Sequence, residues 1–196
     1  MSAIATLRQP KYHNMPATSA QYFALEDDGF RYELIEGRLE VMPSPLTIHQ
    51  HISAEILVEI KLFLRQHPIG EVYVAPLDVE LGPIDTYQPD LLFIHNDNQE
   101  VANEPRIHGS PDLVVEVLSS STKNKDFGVK FENYARFGVK EYWIIAPQTQ
   151  EHHFYLAENQ QFSEVYPENN RYESHVIKGF VLDLEWLNDL IQREMK

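Results

Sequence analysis

Residues 112–118 read DLVVEVL, an almost unbroken run of branched apolar side chains interrupted by one acidic residue, Glu116. Such a run is typical of a strand buried on both faces of a sheet, since alternation with polar residues disappears when neither face meets water. A similar run, EYWIIA at residues 141–146, follows a stretch with helical spacing. Strand, helix and strand in this order predict a mixed α/β core whose sheet faces are covered.

Two segments have the period of amphipathic helices. From Leu46 onward, apolar side chains recur every three or four residues until Pro68 and Gly70 end the pattern. Residues 123–137 have the same period, and Gly138 follows as a stop signal. These two helices are predicted to cover the sheet.

The remaining chain is predicted to add strands around this core. A hairpin is expected within residues 31–42, turned at Glu36-Gly37. Further strands are expected near residues 71–81, 89–94, 152–157, 161–166 and 171–177, with a polar loop over 95–110 and a terminal helix. Repeats and linkers are not evident, so we expect an N-terminal arm over residues 1–17 and a single domain over residues 18–196.

Composition excludes several functional classes. The chain has 196 residues and no cysteine, which rules out disulfides, thiolate zinc sites and cysteine nucleophiles. The sequence shows neither a secretory signal pattern nor an apolar run of membrane-spanning length, so a soluble, cytoplasmic protein is expected. The net charge of −14 argues against broad nonspecific binding of nucleic acid. Residues 123–140 are locally basic, which fits either a phosphate-facing edge or a solvated helix face.

Two carboxylates occur where strands are predicted. Asp90 opens the strand DLLFI after Pro89, and Glu116 lies in the middle of DLVVEVL. Ionised carboxylates are rarely buried unless they are paired or bind a metal. Two of them on adjacent strands suit a hard divalent cation such as Mg²⁺ or Mn²⁺, although pairing with Arg or Lys and plain exposure to solvent are open alternatives.

Three further residues are candidates for the chemistry. Lys130, on the helix after the Glu116 strand, is placed to orient or deprotonate a water and to offset negative charge, or simply to pair with Asp126 four residues earlier. His49 begins the long helix and is a candidate to position water or phosphate, or a buried core histidine. Glu36 is a candidate extra carboxylate, against a plain turn role beside Gly37.

The same residues carry a resemblance to a known family. The segments YELIEGRLEVMPSP, QPDLLFI and GSPDLVVEVLSSSTKNKDFGVKFENYARFGVKEYWIIAP, together with His49, resemble the Uma-type restriction endonuclease family of the PD-(D/E)xK nuclease superfamily over about residues 20–160. The resemblance implies a restriction-endonuclease-like core with flanking helices and additional antiparallel strands. It also implies metal-dependent hydrolysis of DNA phosphodiesters, and members of the family are often dimers.

The resemblance assigns roles to individual residues. Asp90 matches the aspartate of the PD element and Glu116 the acidic residue of the (D/E)xK element, so both are expected to bind Mg²⁺ or Mn²⁺. The triplet is Glu116-Val117-Leu118, so the usual strand lysine is missing, and the resemblance implies that a lysine from the next helix, here Lys130, takes its place. A metal-dependent endonuclease acting as a homodimer on DNA is the leading hypothesis. A catalytically inactive scaffold protein and a hydrolase of smaller phosphodiesters are the alternatives.

Overall fold

The computed structural model describes residues 8–103, 105–119 and 122–195. Within these ranges a 3₁₀ helix covers Asn96–Val101. The α-helices are α1 (Ser19–Tyr22), α2 (Thr47–Gln66), α3 (Lys123–Asp126), α4 (Val129–Phe137) and α5 (Leu184–Glu194). The strands are β1 (Tyr32–Ile35), β2 (Arg38–Val41), β3 (Gly70–Val74), β4 (Val79–Gly82), β5 (Asp85–Tyr87), β6 (Leu91–His95), β7 (Ala102–Asn103), β8 (Arg106–His108), β9 (Leu113–Val117), β10 (Glu141–Ile145), β11 (His153–Glu158), β12 (Gln161–Val165), β13 (Arg171–Glu173) and β14 (Val181–Asp183).

The central sheet has the strand order β12-β11-β10-β9-β6-β3. Strands β9 and β10 are parallel, and the other neighbours are antiparallel. A parallel pair needs a crossover connection, and α3 with α4 lies between β9 and β10 in the chain. The predicted α/β core with a mixed sheet is confirmed.

Burial of β9 on both faces explains its apolar sequence. All five of its residues are buried. Val115 packs in the core beneath α2, whereas Val114 packs with Tyr134 of α4 on the opposite face. The α2 residues Ile52 and Ile56, spaced four apart, are fully buried against the first face.

A second sheet, with strand order β2-β1-β5-β4-β8-β7, lies beside the core. Its β1–β2 hairpin turns at Glu36 and Gly37, whose φ angles of 49° and 75° are the positive values that a tight hairpin turn needs. Residues 1–7 of the expected arm lie outside the described residues. Residues 8–17 contact the hairpin, where Pro16 bridges to Arg38 and Tyr12 is buried.

Three predicted elements differ from the structure. The helix expected over residues 123–137 is interrupted at Gly128, which has the non-helical angles φ −113° and ψ −111°. A Cβ at Gly128 would come within 2.6 Å of the Asn124 carbonyl oxygen, so the close approach requires glycine. The expected strand region 71–81 divides at Pro76 between the two sheets, and the expected polar loop 95–110 contains β7 and β8.

No helix within residues 8–103, 105–119 and 122–195 combines the length and the hydropathy that crossing a membrane requires.

Candidate active site

Asp90 and Glu116 are brought together by the pairing of β6 with β9. The antiparallel register joins Leu91 to Val115, so one residue further along Asp90 lies opposite Glu116. The backbone N–H of Val117 donates to Asp90 Oδ2 at 2.8 Å. Both carboxylates line one cavity of about 470 Å³.

His49 approaches Asp90 from the first turn of α2. Its Nε2 lies 3.0 Å from Asp90 Oδ2, and both side chains are largely shielded from solvent. Burial lowers the pKa of His49, but the hydrogen bond and the negative charge of Asp90 outweigh burial and raise the pKa above its ordinary value. The second ring nitrogen, Nδ1, is buried and makes no hydrogen bond to the described residues. His49 is thus positioned to hold the Asp90 carboxylate in place.

Lys130 lies at the centre of a group of carboxylates. Its Nζ is 3.1 Å from Glu116 Oε1, 2.9 Å from Glu33 Oε1 and 3.8 Å from Asp126 Oδ1, and its side chain is only 2% exposed. Burial lowers the pKa of Lys130, yet the carboxylates, Glu116 foremost, raise it well above its ordinary value. Lys130 therefore remains an ammonium ion. An ammonium ion cannot accept a proton from water, but it can stabilise negative charge.

Glu116 is a buried carboxylate with an unusual environment. Burial raises its pKa well above the ordinary value, and the charge of Lys130 opposes that shift only in part. Tyr134 donates its hydroxyl hydrogen to Glu116 Oε1 at 3.0 Å, the same oxygen that Lys130 contacts. Burial likewise raises the pKa of Asp126 to about 6. In both cases burial raises the pKa by more than the charge of Lys130 lowers it.

The charge balance suits an added cation. Six ionisable side chains meet around Lys130 and Asp90, namely Glu33, Asp90, Glu116, Asp126, Lys130 and His49. With all of them ionised, negative charge exceeds positive charge, so a divalent cation near the carboxylates would relieve repulsion.

The donors also fit a hard metal ion. Within residues 8–103, 105–119 and 122–195, no three histidine, aspartate or glutamate side chains converge closely enough to form a complete protein cage. Mg²⁺ usually takes only one or two carboxylates and completes its coordination with water and substrate phosphate. Asp90 and Glu116, both lining the cavity, offer the required oxygen donors.

Glu36 lies outside this arrangement. It is exposed at the hairpin turn and does not line the cavity, and its contact with the interior is a backbone N–H donated to Asp85 Oδ1 at 2.9 Å. The hairpin carboxylate that reaches Lys130 is Glu33, which our sequence analysis missed. Its neighbours Tyr32 and Leu34 are apolar, and a glutamate inside an apolar strand is the signal that would have indicated burial.

The basic segment 123–140 does not present a free phosphate-facing edge. Three of its bases besides Lys130 contact carboxylates elsewhere in the chain: Lys125 lies 3.1 Å from Glu40, Arg136 lies 3.6 Å from Asp85, and Lys140 lies 2.6 Å from Asp112. Lys123 is exposed, as a solvated helix face would be. Most of this local positive charge is therefore used within the fold.

Comparison with known proteins identifies the family and supports the fold. The profile of the Uma2 family, described as "Putative restriction endonuclease", matches residues 19–185. A crystal structure of a "putative nuclease belonging to DUF820" from Anabaena variabilis ATCC 29413 has a similar fold, with a TM-score of 0.74 and 19% sequence identity over 90% of this chain and 99% of that chain. The search of curated proteins gave no match. The resemblance noted in the sequence is confirmed, and the chain belongs to the Uma2 family of restriction-endonuclease-like proteins.

Proposed function

We propose that this protein is a metal-dependent endonuclease that hydrolyses DNA phosphodiester bonds in the cavity lined by Asp90, Glu116 and Lys130. The observation that carries the proposal is the 3.1 Å contact between Lys130 Nζ and Glu116 Oε1. It supports the view that a lysine from α4 replaces the one missing from the triplet Glu116-Val117-Leu118.

Asp90 and Glu116 would hold Mg²⁺ or Mn²⁺ through their carboxylate oxygens. The ion, when bound, would polarise the scissile phosphate and lower the pKa of a bound water. Lys130 would hold its ammonium group beside the negative charge that develops on the phosphate in the transition state. His49 would orient Asp90 through their 3.0 Å contact.

The substrate and the assembly follow from the same proposal. We expect DNA as the substrate and a homodimer as the active form, since a two-fold dimer would supply one cavity for each strand of a duplex. Sedimentation at tens of micromolar protein is the direct measurement, and a monomer under those conditions would contradict the dimer.

One observation favours a smaller substrate. The basic residues that line the cavity are Arg31, His49 and Lys130, and Lys125 of α3 and Arg136 of α4 are engaged in ion pairs. Duplex DNA is held mainly by lysine and arginine contacts to phosphates, which are scarce here. A cavity of about 470 Å³ also suits a small phosphodiester.

The test is cleavage by the purified chain of 196 residues. Protein stripped with EDTA should be inactive on supercoiled plasmid DNA, and addition of Mn²⁺ or Mg²⁺ should produce nicked and linear forms. A dinucleotide phosphodiester and bis-p-nitrophenyl phosphate, tested in parallel, distinguish the small-substrate alternative. Absence of divalent-metal binding by calorimetry, together with no cleavage of any substrate, would contradict the proposal and favour a scaffold role.

A further inference from the structure

Glu33 on β1 contacts both Lys130 and the chain segment that leads to Asp90. Its side chain is fully buried, and a single oxygen, Oε1, accepts from Lys130 Nζ at 2.9 Å and from the backbone N–H of Gln88 at 2.8 Å. Gln88 lies two residues before Asp90 in the chain. One carboxylate oxygen thus contacts both the lysine and the segment that carries the metal-binding aspartate.

The Gln88 segment is itself fixed from the second sheet. The Gln88 side-chain amide donates to Asp78 Oδ1 at 3.0 Å, and Tyr22 donates its hydroxyl hydrogen to the same oxygen at 2.8 Å. These hydrogen bonds hold Gln88 in place, and Glu33 links Lys130 to Gln88 because the same oxygen accepts from both.

Neutralising Lys130 does not require Glu33. The ammonium already contacts Glu116 and Asp126, and a third carboxylate adds negative charge to a region that has an excess. The other oxygen, Glu33 Oε2, is buried without a hydrogen bond to the described residues, which carries a desolvation cost. Stability alone is a poor explanation for a carboxylate in this place.

Without Glu33, Lys130 would keep two carboxylate partners. Glu116 on β9 lies 3.1 Å from its Nζ, and Asp126, four residues earlier across the α3–α4 junction, lies 3.8 Å away. Glu33 adds a third partner, whose oxygen also accepts from the Gln88 backbone N–H, two residues before Asp90.

We propose that Glu33 is a positioning residue that fixes the Lys130 ammonium relative to the Asp90 segment. This inference rests on the proposed nuclease function for its effect on turnover. The contact itself, however, can be tested without any catalysis.

The experiment compares Glu33→Gln and Glu33→Asp with the matched control Glu40→Gln in the 196-residue chain loaded with Mn²⁺. Glu40 faces Glu33 across the β1–β2 pair and contacts Lys125, so its replacement removes a similar lysine–carboxylate pair outside the cavity. We expect Glu33→Gln to lower kcat for plasmid nicking about 30-fold, as small misplacements of a reacting group do. The KM for DNA and the Mn²⁺ affinity should stay within about twofold, because Glu33 binds neither.

Glu33→Asp retains the charge and should recover part of the lost kcat, whereas Glu40→Gln should behave as the wild type. A kcat unchanged in Glu33→Gln would overturn the inference. So would an equal loss in kcat, Mn²⁺ affinity and thermal stability, which would show that Glu33 merely supports the fold.

If the wild type cleaves nothing with either ion, the nuclease proposal has failed. The positioning inference is then tested by the chemical reactivity of the Lys130 amine. Acylation of lysine amines, measured by mass spectrometry, should then modify Lys130 at least about threefold faster in Glu33→Gln than in the wild type, because one of its charge-assisted hydrogen bonds is weakened. Equal rates would overturn the inference.

Discussion

Two buried glutamates on neighbouring strands of the central sheet have opposite environments. Glu116 on β9 faces α4 and the cavity, whereas Glu141 on β10 points to the other face, toward β13. Glu116 is 5% exposed and Glu141 is fully buried. Burial is thus nearly equal, and what differs is how each negative charge is compensated.

Glu141 is compensated by neutral donors alone. Its two oxygens accept five hydrogen bonds of 2.7–3.0 Å, from Trp143 Nε1, the Tyr172 hydroxyl, the Ser174 hydroxyl and the backbone N–H groups of His175 and Val176. Glu116, by contrast, receives Lys130 and Tyr134 on one oxygen and borders a cavity. A buried carboxylate whose two oxygens are both fully hydrogen-bonded stabilises the fold. One that has an oxygen without such partners can still bind a cation or a ligand.

The largest effect should come from Glu116→Gln. The amide keeps the size of the side chain but removes a charge that would hold the cation, so plasmid cleavage should fall about 10³-fold, equivalent to about 4 kcal/mol. The melting temperature should be maintained, because the substitution also removes repulsion from Asp90 and Asp126. Nicking assays and thermal melts of the same preparation measure both. Retention of more than about a tenth of the activity would refute the metal-binding role of Glu116.

The next effect should come from Lys130→Ala. Loss of the ammonium should lower cleavage about 10²-fold, since it removes one charge that stabilises the transition state. Calorimetry should show that Mn²⁺ affinity is retained or increased, because a competing positive charge has gone. The matched control is Lys123→Ala, which alters an exposed lysine of α3 and should change only the salt dependence. Wild-type cleavage by Lys130→Ala would show that the helix lysine does not replace the missing strand lysine.

Glu141→Gln should reverse this pattern. The amide NH₂ that replaces one oxygen cannot accept hydrogen bonds, so at least two of the donors would be left unpaired. This should lower the unfolding free energy by about 2–3 kcal/mol. Urea denaturation measures this loss, and cleavage per folded molecule should be unchanged because Glu141 lies on the opposite face from the cavity. A Glu141→Gln protein of wild-type stability would remove the distinction drawn between the two glutamates.

The sequence was informative where a buried strand appears as a run of apolar residues. The apolar runs at β9 and β10 were predicted correctly, and Asp90 and Glu116 were selected because charged residues are unusual inside such strands. Glu33 was missed because its contact with Lys130 spans 97 positions in the chain and joins the second sheet to α4, which no local pattern encodes. The donors to Glu141 come from positions 31–35 residues later, apart from Trp143, so its role was equally hidden.

The helix break at Gly128 was hidden for a related reason. The apolar spacing of residues 123–137 continues across the break, and only the close approach to the Asn124 carbonyl oxygen reveals that Gly128 is not helical. Periodicity records which side chains face the core. It does not record the backbone geometry that brings Asp126 and Lys130 to the strand ends.

A third buried carboxylate combines features of the other two. Asp112 lies one residue before β9. Like Glu116, it accepts a hydrogen bond from a lysine, Lys140 Nζ, at 2.6 Å. Like Glu141, it also accepts from neutral donors, the His95 backbone N–H at 2.8 Å and Asn98 Nδ2 at 3.1 Å. Its cation, however, is 63% exposed. If complete hydrogen bonding rather than the presence of a lysine marks a structural carboxylate, Asp112 should affect stability and leave cleavage unchanged.

Asp112→Asn should therefore cause the smallest of these effects, about 1 kcal/mol of unfolding free energy at pH 7. Burial raises the pKa of Asp112, but its hydrogen bonds to Lys140, His95 and Asn98 outweigh burial and hold the pKa below the ordinary value. Because the folded-state pKa is depressed, this contribution is complete above the unfolded-state pKa of about 3.9 and disappears as the pH falls through the lower folded-state value. Urea denaturation at pH 7 and at several lower pH values should show wild type and Asp112→Asn converging in acid. The exposed Glu26→Gln serves as the control and should follow the wild type throughout. A constant difference at every pH would mean that Asp112 acts through its shape, and loss of cleavage would place it with Glu116.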